Sequence, residues 1–215
     1  MTPTVLLALE HLLLLVICIT GDKLGAIVQK PPLLRAVIDN ITHALIGGLV
    51  TEIIVRDYKD QLDRSDQITL IAVGFVASSW IDLDHFIEAR SFHLDDATSL
   101  THRPFFHNSM IFVALFASMI TSVICQHSLL VSLWFSVGFV AFFTHQIRDA
   151  IRRGLWFRAP YLNYSTAPVI YWVYLALEQL CAHAVIQLLA MQQRHGRQLV
   201  GTESFGVKYK PLEVV

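Results

Sequence analysis

Apolar residues in this chain come in long runs, and short stretches rich in proline and charge separate the runs. A helix needs about 20 mostly apolar residues to cross the hydrocarbon layer of a membrane. Six runs approach or reach that length: residues 4–20, 35–55, 68–89, 105–125, 128–151 and 168–190. This pattern predicts an all-α fold, an integral membrane bundle of about six transmembrane helices. The connectors support it. Pro31 and Pro32 in "QKPPLLR" break the chain before the second run. "RDYKDQLDRSDQ" is a charged turn, "SFHLDDATSLTHRP" a longer connector and "QHS" a tight turn. "RRGLWFRAPYLNYSTAP" reads as an aromatic loop. The first run carries Glu10 and His11 near its middle and no basic residue before its apolar core, which favours an inserted helix over a cleaved signal. Residues 1–190 therefore read as one polytopic membrane domain. Residues 191–215 read as a polar, poorly ordered tail.

Composition sharpens this picture. Hydrophobic residues make up 54% and charged residues 15%, with a mean hydropathy of +0.54. Soluble domains carry roughly 25% charged residues. The formal net charge of −1 gives no reason to expect a nucleic-acid partner, and the lipid bilayer is the partner the runs imply. Cys18, Cys125 and Cys181 each lie inside an apolar run without a CxxC, which argues against a disulfide framework and a thiolate metal site. No protein partner is indicated.

The candidate chemistry lies where charge intrudes on the runs. "DNITH" places Asp39 and His43 four apart, and "THQIRD" does the same with His145 and Asp149. That spacing puts two side chains on one helical face. "DLDH" adds Asp82, Asp84 and His85, and "FFHNS" adds His107. If the second to fifth helices alternate in direction, these clusters fall at ends on the same side of the membrane, within roughly 12 Å of its surface. A charged group in the bilayer centre costs about 2.5–3.5 kcal/mol on insertion scales. A cluster of this size therefore needs compensation, and a divalent cation supplies it. Imidazole with carboxylate suits zinc, manganese or iron, with zinc or manganese expected. The number of donors suggests two ions sharing a bridging carboxylate, or one ion with further groups acting around it. The expected ligands are His43, Asp82, Asp84, His85, His107, His145 and Asp149. Asp39 would orient an imidazole or act as a base. Arg148 or Arg152, which share a face, would hold a phosphate. The plainer alternatives are interfacial capping residues, local hydrogen bonds and snorkelling arginines.

Other features are weaker. Glu88 could stand behind Asp84, and His102 with Arg103 could cover the site. Glu10, His11, Glu178 and His183 could pair with one another across the bundle. Tyr171, Trp172 and Tyr174 suit an aromatic belt at the membrane interface. The cluster-bearing side carries nine of the 16 Lys and Arg, a slight lean towards the cytosol.

The stretches "RAVIDNITHALIG", "GFVASSWIDLDHF", "RPFFHNS" and "THQIRDAIRRGLW", covering most of residues 35–158, resemble the metazoan transmembrane protein 267 family. More distantly, the pattern is similar to bacterial membrane-bound metal-dependent hydrolases that include a LexA-regulated member. His43, the Asp82/Asp84/His85 cluster, His107 and the His145/Asp149 helix fall on that family's motif positions, followed by Gly154 and Trp156. Ile81 stands where the bacterial pattern has proline, and Asn108 separates His107 from Ser109. The resemblance implies a metal-dependent hydrolase acting on a lipid or other membrane-proximal ester, most plausibly a phosphoester. A non-catalytic membrane protein with a structural or vestigial metal site is the alternative.

Overall fold

The computed structural model describes residues 2–204. Helix α1 (Pro3–Ile27) opens with Thr2 accepting the Val5 N–H and Pro3 in its first turn, where proline removes no helical hydrogen bond. Helix α2 (Pro32–Asp57) also has a proline in its first turn, Pro32, but no side-chain cap. Helix α3 (Arg64–Trp80) is capped by Asp63, which accepts the Asp66 N–H at 2.7 Å. A single tightened turn, Ile81–Leu83, then leads into α4 (Asp84–Ala89). Helix α5 (Leu94–Thr98) and a turn at Phe105–His107 connect to α6 (Met110–Ile124). Helix α7 (Leu129–Arg153) is followed by a two-stranded antiparallel hairpin, β1 (Trp156–Ala159) and β2 (Leu162–Ser165), and by α8 (Tyr171–Ser204).

The predicted membrane bundle is present. Five helical segments are long and apolar enough to cross a membrane, with α3 and α4 counting as one, and α6 is a shorter apolar helix. The differences lie at the ends. Helix α1 continues past Thr20 to Ile27, because Asp22 has a partner in α7. The fourth helix begins at Met110, not at residue 105, since Phe105–His107 is held in a turn by other elements. The loop expected after α7 contains the β1–β2 hairpin. Helix α8 runs on to Ser204, beyond the predicted tail boundary, and residues 205–215 of that tail lie outside the described residues.

Helix α2 sits centrally, against α1, α3, α7 and α8. The core joins Ile46, Val50 and Ile53 of α2 to Leu133, Val137 and Val140 of α7 and to Tyr174 and Val185 of α8. Leu9, Leu12 and Leu13 on α1 face outward, as a helix bordered by lipid requires. The approach of α2 to α3 depends on small residues. A Cβ on Gly47 would run into the Ser78 side chain, and one on Gly74 into Thr51. Gly154 ends α7 at φ +70°, and a side chain there would strike the Thr166 carbonyl. Cys18, Cys125 and Cys181 are free.

Candidate metal centre

Four donor atoms from three parts of the chain converge. They are Asp82 Oδ1 from the turn after α3, His107 Nε2 from the turn before α6, and His145 Nε2 and Asp149 Oδ2 from α7. The two imidazole nitrogens lie 3.3 Å apart. His107 is 3.4 Å from both Asp82 and Asp149, and His145 is 3.5 Å from Asp82 and 3.7 Å from Asp149. A tetrahedral ion with bonds of about 2.1 Å sets its ligands about 3.4 Å apart. The observed spacings therefore fit one small cation coordinated by two imidazoles and two carboxylates.

The surrounding groups determine which nitrogens face inward. His145 Nδ1 lies 2.9 Å from the Ser78 carbonyl, which can only accept, so Nδ1 carries the proton and Nε2 presents its lone pair to the centre. His107 Nδ1 faces the Asp84 carboxylate at 3.3–3.4 Å, which leaves its Nε2 free in the same way. Carboxylate or carbonyl behind a ligating imidazole is the usual support of metal sites. Asp84 is buried and also accepts the Phe106 N–H at 2.5 Å, so it fixes both the ring and the turn that carries it. Burial draws the His107 pKa down, but its hydrogen bonds to Asp149, Asp82 and Asp84 outweigh that and hold it well above the usual histidine value.

Residues 38–203 match the family described as YdjM inner membrane protein. The chain belongs to this family. Among curated proteins, transmembrane protein 267 of Danio rerio is 38% identical over 154 residues, covering 70% of this chain and 65% of that protein. The chain thus spans a little under two thirds of that relative's length. The Xenopus laevis protein of the same name is 35% identical over 165 residues, covering 74% and 72% of the two chains. The Bos taurus protein is 33% identical over 172 residues, covering 77% and 75%. The resemblance read from the motifs is borne out, and no solved structure matches the chain.

The YdjM-family match spans all the converging donors, and the structure sorts the remaining candidates around them. His43 is buried and stacked on His145, with ring centroids 3.8 Å apart. Its Nε2 lies 3.6 Å from Asp149 Oδ1 and makes no hydrogen bond. His85 is half-buried, with Nδ1 3.3 Å from Asp84 Oδ1 and 3.9 Å from Asp82. Two further donor groups overlap the first, Asp84/His85/His107 and Asp39/His43/Asp82. An ion in the former would need the Nδ1 of His107, the nitrogen turned away from the main centre. An ion in the latter would compete with arginine for Asp39. The geometry thus favours one ion over the expected pair.

Two role assignments need correction. Arg148 is fully buried, with Nε 2.9 Å from Asp22 and Nη2 2.9 Å from Asp39, so it has no free face for a phosphate. Asp39 is also bound by Arg152 at 2.7 Å, and a carboxylate held by two guanidiniums is a poor base and does not orient an imidazole. Glu88 turns outward to His102 at 2.6 Å and does not reach Asp84. Of the four groups expected to pair across the bundle, His11 and His183 do stack on each other, with His11 also bonding Gln179, whereas Glu10 pairs with Arg56 instead. Tyr174 is fully buried within the bundle, whereas Trp172 is exposed.

Several supporting residues escape a motif reading. Gln146 donates to the Phe106 and Asn108 carbonyls. Asn108 donates to the Arg158 carbonyl and accepts the Arg158 N–H, joining the His107 turn to β1. Asn40 and Ser79 bond each other across α2 and α3. The available signal was a polar side chain beside a candidate ligand in an apolar context.

Proposed function

We propose that this chain is a metal-dependent hydrolase of a lipid or other membrane-proximal ester, with a phosphoester as the substrate class. The observation that carries the reading is the near-tetrahedral spacing of Asp82, His107, His145 and Asp149, three of which, Asp82, His107 and Asp149, line a cavity. A divalent cation there, zinc or manganese by the character of the donors, would supply Lewis acidity and lower the pKa of water. The chain's own residues divide the remaining work. Ser78 and Asp84 hold the two imidazoles in register. Asp82 and Asp149, each partly exposed, join the buried histidines to the cavity. His85 lines the cavity beside Asp84 and is placed to exchange a proton with bound substrate. The test is metal content of the purified full chain, wild type against Asp82→Ala and His145→Ala, followed by turnover assays on phospholipids and soluble phosphoesters. Bound metal with no turnover across that panel would count against catalysis.

A second reading has its own support. Four protein donors already complete a tetrahedron, which is the habit of structural sites. On that reading the metal holds the bundle ends together, and His107→Ala would lower thermal stability without any activity to lose.

A further inference from the structure

A cavity of about 700 Å³ lies over the His/Asp centre, within the range of small-ligand pockets. Asp82, His107 and Asp149 line it. Leu33, Val37 and Ile41 of α2 form another part of its wall. They are four residues apart and so make one stripe on the helix. They are also 63%, 42% and 49% exposed, on a helix long and apolar enough to cross a membrane. The same side chains therefore line the cavity and are exposed on a helix suited to a membrane span, so lipid beside that helix would meet the cavity wall.

The cavity wall also carries arginines, besides the carboxylates of Asp82 and Asp149, which an ion would neutralise, and of Asp39, which is paired with Arg148 and Arg152. Arg103, Arg152 and Arg153 line it. Arg103 is tied to the Gly154 and Arg153 carbonyls, which fix its position without neutralising it. Arg153 is exposed and has no ion-pair partner among the described residues. Arg152 shares Asp39 with Arg148.

We propose that the cavity admits a membrane lipid sideways, seating a phosphate headgroup against Arg103 and Arg153 above the His/Asp centre and an acyl chain along Leu33, Val37 and Ile41. A soluble phosphoester would meet the arginines but leave the apolar stripe unused. The lipid as substrate rests on the hydrolase reading; its binding does not.

The experiment is native mass spectrometry of the full chain in detergent, with phosphatidic acid, phosphatidylcholine or glycerol phosphate added, before and after removal of metal with a chelator. Phosphatidic acid should bind about tenfold more tightly than phosphatidylcholine, because charge-assisted bonds reach an open phosphate. Arg153→Gln, which removes an exposed and unbonded side chain, should erase most of that preference. Val37→Trp should weaken phosphatidic acid binding and spare glycerol phosphate. Leu45→Trp, one turn further along the same helix face but outside the cavity, should change neither. Equal binding of the two lipids, an unaltered preference in Arg153→Gln, or glycerol phosphate binding as tightly as phosphatidic acid would overturn the proposal. Metal content measured on the same samples keeps the two readings apart: loss of the lipid preference with metal retained refutes lateral lipid entry alone, and absence of metal with the preference retained refutes the hydrolase alone.

Discussion

His107 Nε2 and His145 Nε2 face each other at 3.3 Å, each with its other nitrogen turned to an acceptor. Two lone pairs at that distance repel unless a cation or a shared proton lies between them. The full chain is expected to carry about one divalent ion, to lose it in Asp82→Ala and His145→Ala, and to melt at a higher temperature when loaded. Elemental analysis and thermal unfolding in detergent check this.

Asp84 touches His107 through Nδ1, on the side away from the four converging donors. Asp84→Ala should therefore weaken metal binding by about 10–100-fold, the usual effect of losing an outer partner, without abolishing it. Asp82→Ala should abolish it. Competition with a chelator of known affinity separates the two outcomes.

His107 gives the centre a pH dependence. Its pKa in the metal-free fold is raised well above the ordinary 6.5. A raised value means the proton is held more tightly folded than unfolded. Its stabilising contribution is complete below pH 6.5 and is lost as pH rises through the raised value. A metal ion must displace that proton. The increase in melting temperature on adding metal should therefore grow with pH above 6.5 and shrink below it. Melting curves with and without metal across that window measure it.

Arg148 holds the bundle together through Asp22 of α1 and Asp39 of α2. Arg148→Leu would leave Asp22 facing the bundle without a counter-charge and Asp39 with Arg152 alone. Breaking a buried pair in this way costs about 3–5 kcal/mol. Lower yield and earlier unfolding are expected, and a phosphate-binding defect at unchanged stability would contradict this assignment.

Gly47 and Gly74 set the distance between α2 and α3. Gly47→Val should destabilise the fold by about 1–3 kcal/mol and lower metal content with it, because α3 presents the Ser78 carbonyl to His145. Gly25→Ala is the control: a Cβ there meets nothing within 4 Å. Parallel melting and metal measurements on the two variants decide the matter.

The helices were legible in the sequence because hydropathy over a span is a sum, insensitive to small errors at its ends. The donors Asp82, His107, His145 and Asp149 were legible because charge in an apolar run is expensive and marks itself. Roles were harder to read. Arg148 and Arg152 share a helical face, yet one is sealed between two carboxylates and the other reaches the cavity. Only the placement of Asp22, 126 residues away in the chain, makes that difference. Asp84 resembles Asp82 in every local respect, but the tightened turn at Ile81–Leu83 sends their carboxylates to opposite sides of His107. Asn108 and Gln146 matter through backbone groups they bond, and no side-chain pattern reports those.

The turn bearing His107 is fastened to β1 by Asn108 and Ser109. Those fastenings reach Trp156 and Arg158, which leave the ribosome well after the histidine itself. The His107 turn therefore lacks these bonds until the hairpin has been made. Truncation before the hairpin should leave the His107 turn unfastened, and any ion offered to the four donors would then be held more weakly than by the longer chain.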